Sequence, residues 1–312
     1  MVTSVSTSNS YSAILNDLLS AQNREVTAQQ QVSTGKKGDD LVGFGSETRN
    51  LVATNTVKAR VDGLVSQLSA QQVKLNFQQT ALTQVSSVAG DLKASLTNAL
   101  ANGSGDGIMT DLQSYFSQAT EALNTQYGGD YMFAGGQAQT QPFTATSLAD
   151  LTTQASVSSF FQNGDLTPTT RIDDSTTIQT GFLASDVGQS LMGVFQSIQA
   201  FQQSGAGNFG GPLTAAQQTF IEGMITQVSG VSDSTTQTSA QGGEVQQRVD
   251  GAATTQTDRQ TTLKTMLGNI TDVNMADAAS ALTQAQTAVQ ASAQVFTTLK
   301  GMSLLNYLSP TG

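Results

Sequence analysis

The sequence predicts a mainly α protein, an elongated rod of long bundled helices with paired N- and C-terminal coiled-coil helices and a small inserted β or α+β domain. Three observations carry this prediction. Apolar and small residues recur at alternating three- and four-residue spacing from Glu47 to Ala101 and again from Ile221 to Ile270, which is the seam of helices packed along their length. Proline appears only four times and interrupts neither seam. The order also reads alike from both ends: terminal helix, long helix, insert, long helix, terminal helix. The N- and C-terminal thirds therefore pair while the middle projects. With 12% charged and 6% aromatic residues and no Trp, the composition suits helices packed on small side chains better than a dense aromatic core.

Taken in order, a Ser/Thr-rich start expected to be mobile leads into an amphipathic helix over Tyr11 to Ser33, with Tyr11, Ile14, Leu18, Ala21, Glu25, Ala28 and Val32 on its seam. Gly35 to Asp40 breaks the pattern with glycines and with charges that seek solvent; Asp39 and Asp40 are read as solvated rather than as a cation site. The first long helix carries Val57, Val61, Leu64, Leu68, Gln71, Leu75, Gln78, Leu82, Val85, Ala89, Leu92, Leu96 and Ala99. At about 1.5 Å per residue it spans roughly 80 Å. The glycines of Asn102 to Gly107 end it in a turn, and Ile108, Leu112, Tyr115, Ala119 and Ala122 mark a shorter returning helix.

Tyr131, Met132 and Phe133 lie between glycine pairs and read as a short strand or hairpin. From Thr144 to Ser185 the pattern turns β-like, with two strands expected around the Asp173-Asp174-Ser175 turn. Helical spacing resumes at Val187, Leu191, Phe195, Ile198 and Phe201. The Gly-rich loop Gly205 to Pro212 lacks a following Gly-Lys-Ser/Thr, so it does not read as a phosphate cradle. The second long seam weakens from Thr235 to Gly242, as in a looser or bent segment. The phase then slips between Gly268 and Asn274, where Asp272 or Asn274 can cap a separate last helix. That helix has Met275, Ala278, Leu282, Ala285, Val289, Ser292, Phe296 and Leu299 on its seam and no charge between Asp277 and Lys300. A solvated helix carries Lys and Glu on its outer face, so this one is built to touch protein on most sides; its glutamines bar it from a membrane.

Composition excludes several function classes. A net charge of -10 gives no basic field for nucleic acid or anionic lipid. No Cys and no His means no disulfide, no thiol nucleophile, no cysteine-ligated metal and none of the commonest general base. Neither an enzyme nor a cofactor is expected. Met1 to Ser10 has neither a basic region nor an apolar one, so it does not read as a secretory signal peptide.

The chain resembles the flagellin superfamily, and within it the FlgL-type hook-filament junction proteins. The resemblance rests on Ser33-Thr34-Gly35-Lys36 with Asp39-Asp40; on Tyr131 to Gly135 through Pro142-Phe143; on Gly243, Val245, Arg248 and Val249; and on Asp272 to Asp277 through Leu304 to Leu308. It departs from the family pattern at Leu41, where a proline is common. What the resemblance implies is a non-enzymatic structural subunit of the bacterial flagellum, involved in motility. Such a subunit leaves the cell through type III export without a cleaved leader, with an export chaperone as one partner. It assembles as a ring with itself between a hook-side junction protein and flagellin.

The expected division is a terminal assembly region over 1–45 and 271–312, disordered in the monomer, a helical rod over 46–136 and 187–270, and the insert over 137–186. The expected assembly interface is Tyr11, Ile14, Leu18, Ala21, Val32, Met275, Ala278, Leu282, Ala285, Val289, Phe296, Leu299, Leu305 and Leu308. The alternatives are a filament-forming flagellin and a helical stalk bearing a glycan- or receptor-binding module over 144–186.

Overall fold

Three of the four prolines, Pro142, Pro168 and Pro212, fall between helices, and the long seams run uninterrupted. The computed structural model describes the backbone of residues 2–308 and the side chains of 12–298. Its helices are α1 (Val2–Thr34), α2 (Thr48–Asn102), α3 (Ile108–Leu123), α4 (Leu148–Leu151), α5 (Ala184–Gln203), α6 (Ala215–Thr271) and α7 (Met275–Leu308). Two antiparallel ribbons accompany them, β1 (Gln126–Tyr127) with β2 (Asp130–Tyr131) and β3 (Thr169–Arg171) with β4 (Thr177–Gln179). The expected bounds of α2 hold to within a residue. α1 begins before the expected Tyr11, continuing as helix through the Ser/Thr run from Val2. Thr and Ser are weaker helix formers than Ala but do not bar extension of an established helix.

The chain divides into two compact units, residues 1–60 with 259–312 and residues 61–258. In the second unit, α2, α3, α5 and α6 enclose a core in which Phe116, Phe133, Phe143 and Phe195 are fully buried. Phe116 meets Phe195 edge-on at 6.0 Å and Phe143 at 6.3 Å between ring centroids. The expectation of small-residue packing thus fails here, because the few aromatics are concentrated in one place rather than spread along the seams. At one end of this core the loops before α3 and α6 bind each other. Gly105 N–H donates to Gly211 O (2.9 Å), Leu213 N–H to Gly103 O (2.8 Å) and Gly211 N–H to Asp106 Oδ1 (2.7 Å). The bond from Gly211, and after it that from Ser104, lowers the Asp106 pKa.

The weak stretch of the second seam is neither loose nor broken. Gly242 is buried, and a Cβ there would meet Gln79 Oε1 at 2.5 Å and Leu82 at 2.8 Å, so the glycine permits close approach of α6 to α2. Polar side chains on either side form a ladder between these antiparallel helices: Gln72 with Asp250 (2.8 Å), Gln79 with Ser239 (3.1 Å), Ser86 with Thr236 (3.1 Å) and Lys93 with Ser229 (3.0 Å). Thr235 and Gly242 replace apolar knobs in this stretch, and the ladder supplies the register that they do not.

The insert is the α+β of the two alternatives. A capping box starts α4: Ser147 Oγ accepts from Asp150 N–H, and the Asp150 carboxylate accepts from Ser147 and Thr146. Those bonds, led by the Thr146 hydroxyl, hold the Asp150 pKa at about 2. Asp173 Oδ1 accepts from the N–H groups of Ser175 and Thr176, each at 2.7 Å, and closes the expected turn of the β3–β4 ribbon. Ile178 of that ribbon packs with Leu68, Leu75, Val249 and Ala253 in a second small core.

Candidate assembly interface

Alanine at the seam lets two helices approach closely, and this is how α1 and α7 meet. The positions Ile14, Leu18, Ala21, Glu25, Ala28 and Val32 of α1 alternate between half-buried and buried, with Ala21 and Ala28 buried. On α7, Ala278 and Ala285 are buried, and Leu282, Val289, Ser292 and Phe296 are half-buried. The predicted seams are therefore the faces that close on each other in one chain. A groove of about 550 Å³ follows the pair, lined by Arg24, Ala28 and Gln31 of α1 and Ala281, Gln284 and Ala285 of α7. Met275 is exposed, and Tyr11, Leu299, Leu305 and Leu308 lie outside the residues whose side chains are described.

A backbone clasp closes the end of this pair. Gly35, at φ 70°, ends α1 in the left-handed conformation, with its N–H on Gln31 O (2.9 Å). Val273 N–H then donates to Gly35 O (3.0 Å) and Lys37 N–H to Thr271 O (2.7 Å), which makes an antiparallel bridge between Lys36 and Asp272. Lys36 Nζ donates to the Asp272 carboxylate and to Thr271 Oγ1 (3.2 Å), and Lys37 Nζ donates to Asn269 O (2.9 Å). Both cations thus sit at the C-terminal end of α6, where the helix dipole favours them. The Lys36 ammonium first, and the Thr271 hydroxyl second, lower the pKa of Asp272. The lysines expected to seek solvent are held, while Asp272, a candidate cap for α7, is committed to Lys36. Asn274 caps α7 instead, with Oδ1 accepting from Ala276 N–H at 3.0 Å.

A second apolar stripe lies beside the predicted seam of α1. Leu15, Leu19 and Val26 follow seam positions by one residue and are exposed on α1, as is Val295 on α7. Their recurrence at i, i+4 and i+11 was the available signal. An alanine seam between two helices and an exposed aliphatic stripe beside it suit a helix with more than one helical neighbour. Among the described residues no group of His, Cys, Asp or Glu could hold a metal ion. No described helix is long and apolar enough to cross a membrane.

Two family models match this arrangement. That of the bacterial flagellin N-terminal helical region matches residues 5–138, and that of the bacterial flagellin C-terminal helical region matches residues 225–308, together more than half of the chain. The chain belongs to the flagellin family. It is accordingly a structural protein of the flagellum and not an enzyme. No curated protein matches it in sequence. Solved structures share the fold at low identity. A protein from Vibrio parahaemolyticus assigned as flagellar hook-associated is 15% identical, with a TM-score of 0.58 over 72% of this chain and 97% of that one. FlgL of Bacillus cereus is 14% identical, with a TM-score of 0.55 over 68% and 97%. FlgL of Xanthomonas campestris is 11% identical, with a TM-score of 0.52 over 68% and 99%.

Proposed function

We propose that this flagellin-family chain is an adaptor at the junction of hook and filament, held there by coiled-coil packing of α1 and α7 with the same helices of its neighbours. The carrying observation is the terminal pair: alanines close it internally while Leu15, Leu19, Val26 and Val295 remain exposed. The likeness of the fold to hook-associated proteins favours the junction over the filament itself. In this reading the chain forms a ring with copies of itself and contacts a hook-side junction protein below and flagellin above. It reaches the cell exterior through type III export with a chaperone. The terminal pair orders fully only on assembly, because its alanine seam buries little apolar surface against the entropy of fixing two long helices.

The test incubates purified chain with filament seeds and with precipitant, and cross-links intact flagella. The adaptor adds to seed ends without elongating and cross-links to both a hook-side protein and flagellin. Long self-polymers would instead establish a filament-forming flagellin.

A further inference from the structure

We infer that Asn102 is a site of spontaneous covalent modification, at which the side-chain amide is lost by reaction with the following backbone nitrogen, while the fold shields the equivalent pair Asn163-Gly164. Asn102-Gly103 and Asn163-Gly164 are the two places where glycine follows asparagine. Glycine puts no side chain beside its own N–H and lets the backbone turn freely, so at these pairs the nitrogen reaches the asparagine Cγ most easily. In the reaction the Gly103 nitrogen bonds to Cγ of Asn102, and the side-chain nitrogen leaves as ammonia with the proton of that N–H. Water then opens the cyclic imide. Addition at Cγ leaves aspartate; addition at the main-chain carbonyl carbon leaves isoaspartate, with the main chain running through the former side chain. Water is the only co-reactant, and nothing is oxidised or reduced.

The two pairs stand in different surroundings. Asn163 is half-buried, and its amide is held at both ends by Ser185: Oδ1 accepts from Ser185 N–H at 3.1 Å and Nδ2 donates to Ser185 Oγ at 3.2 Å. The attacking group is held too, since Gly164 N–H donates to Ala134 O at 2.9 Å. Asn102 is exposed as the last residue of α2, and its side chain has no hydrogen-bond partner among the described residues. Gly103 N–H reaches only Leu100 O, at 3.2 Å, in the final turn of a helix, where ends open by fraying. Gly103, at φ 65°, has no atom within 4 Å of where a Cβ would stand, so the turn is open on that side. Both products weaken this end of residues 61–258. Aspartate puts a negative charge at the C-terminal end of α2, against the helix dipole. Isoaspartate adds a methylene to the main chain just before Gly103 O and Gly105 N–H, which bond Leu213 and Gly211 of the facing loop. The bridge between the two loops thus carries a mark of the chain's age.

The test incubates the full-length chain at neutral and at mildly alkaline pH, folded and in urea, and locates the mass gain of amide-to-acid conversion by mass spectrometry of an acidic digest. In the folded chain Asn102 is expected to convert several-fold faster than Asn163. Its rate should rise with pH, since the attacking nitrogen must lose its proton. In urea the rates at the two sites are expected to converge. The converted chain should also exchange its Gly105 and Leu213 amides faster than fresh chain, and faster than an equally aged Asn102→Gln chain. Equal conversion of the two sites in the folded chain would overturn the inference, as would an intact Asn102 after the unfolded chain has reacted, or a gap of the same size in urea. Unchanged exchange at Gly105 and Leu213 in the converted chain would overturn the effect on the bridge. All of this is read in unassembled protein, so the outcome is independent of the adaptor reading.

Discussion

The two units bury themselves by opposite means. In residues 61–258 four phenylalanines and a series of leucines are fully enclosed, and each has its neighbours within the chain. In the other unit the fully buried seam side chains of α1 and α7 are alanines, while the larger aliphatic groups Leu15, Leu19 and Val26 face outward. A phenylalanine contributes several times the buried area of an alanine. The first kind of core completes itself in one copy. The second leaves surface to be covered, which is what a subunit of a helical assembly needs at its ends.

The strongest break of this contrast is Phe195→Ala, which removes a fully buried ring from the centre of the core. We expect a loss of about 3–5 kcal/mol in the unfolding of residues 61–258, read by urea denaturation. Ala285→Leu overpacks the alanine seam and should cost about 1–3 kcal/mol in the α1–α7 pair. Far-UV circular dichroism should then lose a low-temperature helical phase while the main transition stays in place.

A smaller effect tests the clasp. Asp272 has a lowered pKa, so its contribution is present above the ordinary carboxylate range and is lost as pH falls through the folded value. Asp272→Asn should remove that acid dependence and, the pair being exposed, change stability only slightly. Amide exchange of Lys37 and Val273, whose N–H groups make the bridge, reads it directly. The smallest change in stability, within about 0.5 kcal/mol, is expected for Leu19→Asp on the outer stripe. Its incorporation into flagella should nonetheless fail, and normal incorporation would show that the stripe is not covered by a neighbour.

The long seams were legible because each helix repeats its pattern many times: Leu64, Leu68, Leu75 and Leu82 all recur in phase and all are buried. The seam positions of α1 and α7 were readable for the same reason. The Lys36–Asp272 clasp was not, because the partners lie 236 residues apart and neither lysine stands in a pattern that points across the chain. The clustering of Phe116, Phe143 and Phe195 was hidden likewise, since they come from separate helices and loops and share no local period. Thr235 to Gly242 was visible as an anomaly, but its meaning was not. Only the partner side chains on α2 show that polar bonds and a close approach replace the missing apolar knobs.

The central claim is that α1 and α7 depend on neighbours while residues 61–258 do not. Hydrogen exchange of the full chain, free and in isolated flagella, tests it most directly. The account predicts that in the free chain α1 and α7 exchange far ahead of the Phe-lined core and become protected only after assembly. Protection of α1 and α7 in the dilute free chain equal to that of the core would contradict it.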